Sequence, residues 1–199
     1  MQQDHFQDKA KDWDKGSIRQ QNTRTISEAI LEQFPINKEM EIIDFGVGTG
    51  LLGFEIAKHA KKVYGVDTSE SMLEKLSEKN TPELFIEPLQ QNIIAQPLEG
   101  EYDGLISSMT LHHIEHLEKF FATIYKNIKK DGFIAIADLE SEDGSFHSDN
   151  TGVHHYGFEA ESLCKIVEEA GFQNIRCECI NIIKKPHRDF GVFLLTASK

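Results

Sequence analysis

The chain has 199 residues, of which 39% are hydrophobic and 27% charged, with five prolines, a globular composition rather than a disordered or collagenous one. Its 33 acidic side chains against 21 basic ones give a net charge of -12. That surface repels phosphate backbones and anionic lipid, which disfavours nucleic acid or a membrane as the main partner. The predicted elements, in chain order, begin with a polar segment from Met1 to Asp14 of mixed charge, which does not read as a signal peptide. Phe6 and Trp13 share one helical face there, and the spacing predicts a short helix that acts as a lid. A helix over Arg19–Phe34 follows, carrying Ile26, Ile30 and Phe34 at helical spacing. Strands are predicted at Glu41–Phe45, Lys62–Val66, Glu83–Glu87, Gly104–Ser107, Gly132–Asp138, Asn174–Ile183 and Phe190–Ala197. Helices at Leu51–His59, Ser71–Lys79, Leu117–Ile128 and Glu159–Ala170 fill most of the gaps, the last stopping at Gly171.

Strand–helix alternation implies parallel pairing with right-handed crossovers, and so a three-layer αβα sandwich. Only Lys184–Asp189, with Pro186, separates the last two strands, which suits a hairpin. The expectation is a doubly wound, mostly parallel seven-stranded sheet with one antiparallel strand near the C-terminus. Residues 1–199 read as one domain, with a helical lid and first helix over 1–35 and the sheet core over 36–199. Three cysteines make no disulfide framework; all read as reduced thiols, with Cys164 buried on a helix. No apolar run is long enough to span a bilayer, and the expected location is the cytoplasm.

The sharpest feature is Ile42-Ile43-Asp44-Phe45-Gly46-Val47-Gly48-Thr49-Gly50, running from a strand into a helix. Three glycines let the backbone turn tightly and keep side chains out from between loop and ligand. The loop ends at a helix N-terminus, where free N–H groups face outward. Asp44 is expected at the mouth of this loop, where it would repel a pyrophosphate and attract an ammonium or sulfonium group. The second strand ends on Asp67, an acid placed to accept hydrogen bonds from both hydroxyls of a ribose. A dinucleotide site is the direct rival, because Gly48, Gly50 and Gly53 satisfy G-x-G-x-x-G and Asp67 stands at the expected distance. Asp44 and the terminal hairpin count against it.

These segments resemble the class I S-adenosylmethionine-dependent methyltransferases. Asp44–Gly50 resembles the first motif of that family and Val66-Asp67 the second. Tyr102-Asp103-Gly104-Leu105-Ile106-Ser107-Ser108 resembles the fourth-strand motif, and Ile128-Lys129-Lys130-Asp131-Gly132-Phe133 the turn before the fifth strand. Lys130 and Asp131 depart from the usual proline and glycine. The resemblance covers nearly the whole chain and implies a Rossmann-like fold, S-adenosyl-L-methionine as cofactor, and methyl transfer to a small-molecule acceptor. It also implies a site. The backbone of Gly46, Gly48 and Gly50 would follow the methionine and ribose, Asp44 would hold the amino group, and Asp67 the ribose. Thr68 and Met72 would flank the adenine. No acid stands after the third strand, so the Leu89 backbone or the Gln90 amide would take its place. Ser107 and Ser108 would meet the methionine end, with Trp13 in the lid above.

Histidines gather late: His112, His113 and His116 after the fourth strand, then His147, His154 and His155 after the fifth. Both loops open at the carboxyl ends of the strands. A general base is the leading reading, at His113 or His154, for an acceptor that must lose a proton. A metal held by His147 with His154 or His155 and a carboxylate ranks below it, and no metal is assigned. The loop from Asp138 to Phe158 is expected to close over the acceptor, with Phe146, Tyr156 and Phe158 as an apolar wall. A nicotinamide-dependent oxidoreductase and a non-catalytic S-adenosylmethionine-binding module are the alternatives. Ser107-Ser108-Met109-Thr110 stands where amide-nitrogen methylases carry Asn/Asp-Pro-Pro-Tyr/Phe, which disfavours that chemistry. Nothing in the sequence specifies an oligomeric state.

Overall fold

The computed structural model describes residues 13–199. Phe6, and with it most of the expected lid, lies outside them. After a 3₁₀ turn at Trp13–Lys15, the elements are α1 (Ser17–Gln33), β1 (Glu41–Phe45), α2 (Leu51–Ala57), β2 (Lys62–Asp67), α3 (Glu70–Lys79) and β3 (Ile86–Gln90). Then come β4 (Tyr102–Ser108), a 3₁₀ turn at Leu111–His113, α4 (Leu117–Asn127), β5 (Ile128–Leu139), α5 (Ala160–Glu169), β6 (Gln173–Lys184) and β7 (Asp189–Ser198). The sheet has seven strands in the order β3-β2-β1-β4-β5-β7-β6. β7 runs antiparallel to both β5 and β6, while the other pairs are parallel. The fold is the expected doubly wound sandwich, with β7 as the reversed strand.

Each strand sends alternate side chains to opposite faces. Ile43, Phe45, Ile134, Ile136 and Leu195 pack with Phe120, Phe121, Ile124, Leu163 and Val167 from α4 and α5. Ile42, Ala135, Ala137 and Leu194 pack with Ile26, Ile30, Leu52, Ile56, Leu73 and Leu76 from α1, α2 and α3. Phe120 and Phe121 are fully buried, each contributing about 1.5–3 kcal/mol through loss of hydrated apolar surface. Phe34 stacks on Phe133 at 4.0 Å between ring centroids, which fixes the end of α1 on the sheet.

The same parity aims two acids into opposite layers. Asp44 shares its face with Ile42 and points toward α2. Asp138 shares its face with Ile134 and Ile136 and points toward the α4–α5 side. Strand order reverses between β1 and β4, so the loops leaving their carboxyl ends part to opposite layers and open a cleft between them.

Two expectations need correction. β3 starts at Ile86, not Glu83, and runs through Pro88 to Gln90. The Asn80 side chain brackets Ile86, accepting from its N–H at 2.9 Å and donating to its carbonyl at 2.9 Å. Leu84 and Phe85 are thereby left in a turn. Pro88 lacks an N–H, yet β3 is an edge strand and needs none on its open side. Cys164 is half-buried rather than buried, and all three cysteines are free thiols. Asp131, which stands where the resemblance leads one to expect glycine, adopts φ 64 and donates its N–H to the Lys199 carbonyl at 2.9 Å. Asp is one of the few side chains that enters this region routinely.

Candidate functional site

Gly46, Gly48 and Gly50 take φ values of 67, 53 and 86. These left-handed conformations are strained for any residue with a Cβ, so the turn requires glycine. Gly46 and Val47 donate their N–H groups to the Val66 carbonyl at 2.8 and 3.1 Å, hanging the loop on β2. Gly50 caps α2 and accepts from Phe54 N–H at 2.9 Å. Thr110, just past β4, lies over Gly46; a Cβ there would stand 2.2 Å from its side chain. Gly46→Ala is therefore expected to lower the urea midpoint more than Gly100→Ala. Gly100 has φ +88 and no neighbour within 4 Å, so it carries the backbone cost alone, about 1–2 kcal/mol. Equal losses at the two positions would refute the Thr110 contact.

Asp67 is tied to the same loop. Its Oδ2 accepts from Gly48 N–H at 2.8 Å and its Oδ1 from Ser69 N–H at 2.9 Å. Ser69 in turn caps α3, its Oγ accepting from Met72 N–H at 3.2 Å. A carboxylate fixed by two backbone donors at a strand tip is a pre-oriented acceptor for a vicinal diol. Trp13 stands above: its Nε1 is 4.0 Å from where a Gly48 Cβ would be, and the Arg19 guanidinium lies 4.0 Å over its ring. Asp14 accepts from Thr49 Oγ1 at 2.5 Å and from Lys79 Nζ at 2.8 Å, locking this turn to the glycine loop and to α3.

Asp44 is not at the mouth of the loop. It is 2% exposed and lies beneath the loop, with its Oδ2 2.7 Å from where a Gly53 Cβ would stand. The expectation failed because β1 parity turns the side chain into the α2 layer. Burial, and secondarily the charge of Asp67, push its carboxyl well above the usual carboxylate range, against the pull of the Gly53 N–H. Its Oδ2 has no hydrogen-bond partner among the described residues. An orphaned buried carboxyl oxygen under a glycine cradle fits a ligand that brings a cationic or donor group.

The other predicted residues are distributed around this loop. Leu89 and Gln90 end β3 opposite Val66 and Asp67. Gln90 donates to the Thr68 carbonyl at 3.4 Å and is exposed, while Leu89 is half-buried against the core. Met72 is 2% exposed, with its side chain in the protein rather than open to the cleft. Ser107 is 1% exposed and gives its hydroxyl to the Phe45 carbonyl at 2.7 Å, so it couples β4 to β1. Ser108 is half-buried at the end of β4.

The loops after β4 and β5 meet in a second cluster. The His112 and His113 rings lie 4.3 Å apart, His112 and His147 4.9 Å, and His147 and Phe146 4.8 Å. His112 is 1% exposed and Asp138 is fully buried. The His112 Nδ1 lies 2.8 Å from Asp138 Oδ1, while the His112 and Leu139 N–H groups donate to the same carboxylate at 3.1 and 2.8 Å. The β5–α5 loop is laced over this pair: His154 and His155 donate their N–H groups to the His112 carbonyl at 2.9 and 3.2 Å. His113 Nδ1 meets the Gly152 carbonyl at 2.7 Å, and Lys185 Nζ donates to the Phe146 carbonyl. Of the two expected bases, His113 is within the cluster and His154 is exposed at its rim. Burial, then the neighbouring His112, holds His113 below its ordinary value. His116 is exposed at the start of α4. Among the described residues no group of three or more His, Cys, Asp or Glu side chains could hold a metal ion.

The Asp138–His112 pair is what sequence reasoning missed. Both residues sit just past or at the carboxyl ends of adjacent parallel strands, and that adjacency was the signal available.

His147 makes the loop pH-sensitive. Burial, with His112, His113 and Lys185 beside it, lowers its imidazole from 6.5 to about 4, against a smaller upward pull from Asp138. Glu142 faces Lys185 in turn. The open loop protonates first, so the contribution of neutral His147 to closure is whole above 6.5 and is lost as the pH falls from there to about 4. Amide-exchange protection of residues 144–152 is expected to drop between neutral pH and about pH 5, and to hold in His147→Phe. Unchanged protection in the parent protein would contradict this.

A family model described as a methyltransferase domain matches residues 18–176. An uncharacterised methyltransferase of Schizosaccharomyces pombe is 30% identical over 154 residues, covering 68% of this chain and 54% of that protein. The chain thus spans about half the length of that relative. Among solved structures, phosphoethanolamine N-methyltransferase 2 of Haemonchus contortus, in complex with S-adenosyl-L-methionine, superposes with a TM-score of 0.69 at 19% identity, over 87% of this chain and 52% of that one. An S-adenosylmethionine-dependent methyltransferase from Mesorhizobium loti gives 0.71 at 19% identity, over 86% and 96%. At these identities the structural likeness concerns the fold.

Proposed function

The chain belongs to the methyltransferase-domain family, and on that premise we propose that it binds S-adenosylmethionine and passes the methyl group to a small-molecule acceptor. The observation that carries the reading is Asp67, fixed by the Gly48 and Ser69 N–H groups beside a three-glycine turn. Its carboxylate accepts from the ribose hydroxyls. The Gly46–Gly50 backbone lies along the ribose and methionine, with Asp44 beneath the amino end and Ser107 and Ser108 bordering it. Thr68, Leu89 and Gln90 frame the adenine, and Trp13 covers Gly48. The bound cofactor supplies a methyl group made electrophilic by sulfonium, which leaves as a thioether when the methyl bonds to the acceptor. The protein then has three tasks: to align the acceptor, to exclude water and to accept a proton where the acceptor carries one. His113 and His154 border the place where that last task falls.

The acidic surface agrees with a small acceptor rather than a nucleic acid, and no helix among the described residues is long and apolar enough to cross a membrane. We place the protein in the cytoplasm. The experiment is to measure S-adenosylhomocysteine release across thiols, phenols, quinols and amines. Release with one class supports the reading. Tight binding of the cofactor with no release across the panel would favour a non-catalytic binding module.

A further inference from the structure

The His112–Asp138 pair is more than the anchor of a 3₁₀ turn. Asp138 is fully buried and collects three N–H donors, two of them from His112 itself. A carboxylate can only accept, so the proton between the two side chains resides on His112 Nδ1. The other ring nitrogen, Nε2, is then an unprotonated lone pair. It is buried and has no partner among the described residues. A core histidine kept for packing would have that nitrogen satisfied, because an unmet buried acceptor is costly. A lone pair in this state awaits a hydrogen-bond donor, as does the cluster's other unpartnered buried ring nitrogen, Nε2 of His147.

What surrounds it narrows the donor. The rings of His113, His112, His147 and Phe146 follow one another at 4.3, 4.9 and 4.8 Å, and Phe190 lies 5.1 Å beyond Phe146. A succession of ring faces and edges suits a flat aromatic guest over a flexible aliphatic one. The location is right for chemistry on the cofactor loop: Thr110, two residues before His112, is the side chain that lies over Gly46. In the β5–α5 loop above it, Gly144, Gly152 and Gly157 take left-handed conformations where the chain bends.

We infer that His112 is the general base of this site, positioned by Asp138, and that the acceptor it serves is an aromatic hydroxyl. This deepens the reading above and rests on it. The O–H bond of the acceptor breaks, its proton goes to His112 Nε2, and the electron pair stays on oxygen as the nucleophile. The resulting imidazolium is hydrogen-bonded to the Asp138 carboxylate. The proton leaves to water when the loop opens. His113 and His147 face His112 from its own turn and from the lid, and Lys185 stands behind His147. Of these neighbours only Lys185 carries a fixed positive charge, and Asp138 is the one carboxylate hydrogen-bonded to the His112 ring.

The test uses 4-nitrophenol, whose ionised form absorbs in the visible, added to the full chain at a pH below its own pKa. The titration is run with and without saturating S-adenosylhomocysteine. Bound nitrophenol is expected to ionise, giving a saturable phenolate band. His112→Gln should keep its affinity for S-adenosylhomocysteine and lose at least tenfold of the band. Asp138→Asn should retain binding and shift the ionisation of the bound phenol to higher pH. Neutral bound nitrophenol, no binding, or an undiminished band in His112→Gln would each overturn the assignment. Failure of the parent protein to bind S-adenosylhomocysteine would instead sink the cofactor reading, while the band without cofactor would still report on the dyad.

Discussion

Asp138→Ala is expected to lower the melting temperature by roughly 6–12 °C, taking about 2–4 °C per kcal/mol for a chain of this size. Asp138 has no exposed surface, and its carboxylate accepts from His112 N–H, His112 Nδ1 and Leu139 N–H. Truncation strands all three donors away from water, and each stranded donor costs about 1–3 kcal/mol before any relaxation. A total of about 3 kcal/mol is the conservative figure, since the 3₁₀ turn can shift to recover one bond. Asp103→Ala is the internal control. That carboxylate ties β4 to β1 and β5, accepting from Glu41 N–H at 2.8 Å and Lys129 Nζ at 2.9 Å, but it is 24% exposed. Water can replace its lost partners, so its loss should be much smaller. Thermal unfolding followed by circular dichroism decides between them; equal shifts would mean that Asp138 is not the buried hub described above.

Asp67→Ala is expected to weaken S-adenosylhomocysteine binding by about 10- to 100-fold, or roughly 1.4–2.7 kcal/mol. Two losses combine. The ribose loses a charged acceptor, and the Gly48 and Ser69 N–H groups lose the carboxylate that orients them. The glycine turn keeps its attachment to the Val66 carbonyl, so the protein should still fold. Gln90→Ala, at the neighbouring strand tip, should cost less than Asp67→Ala, because it removes a neutral amide beside the adenine rather than a charged acceptor. Calorimetric titration of both variants checks the contrast. An Asp67→Ala protein with parental affinity would remove the ribose from this carboxylate.

Much of the architecture could be read from residue order. Periodicities of two and 3.6 located the strands and helices, and the short Lys184–Asp189 connection announced the reversed strand. β3 was misplaced because its start depends on the Asn80 bracket around Ile86, a contact six residues long that leaves no periodic trace. The strand also runs through Pro88, which is tolerated because the strand lies at an edge, and only the assembled order reveals that. In the site, the glycines and Asp67 were legible because backbone geometry constrains their identity. Asp44 was legible as a residue but not as a location, since its depth follows from β1 parity against α2. The histidine cluster was visible, but which of its members is buried was not. His112 and His113 are adjacent in sequence, and only the 3₁₀ turn decides that the first is buried against Asp138 while the second meets the loop.

The most direct test of the account is a calorimetric titration of the parent protein with S-adenosylhomocysteine and, separately, with NAD. Saturable one-to-one binding of the sulfur nucleoside is expected, and none of the dinucleotide. Binding of NAD with no heat from S-adenosylhomocysteine would contradict it.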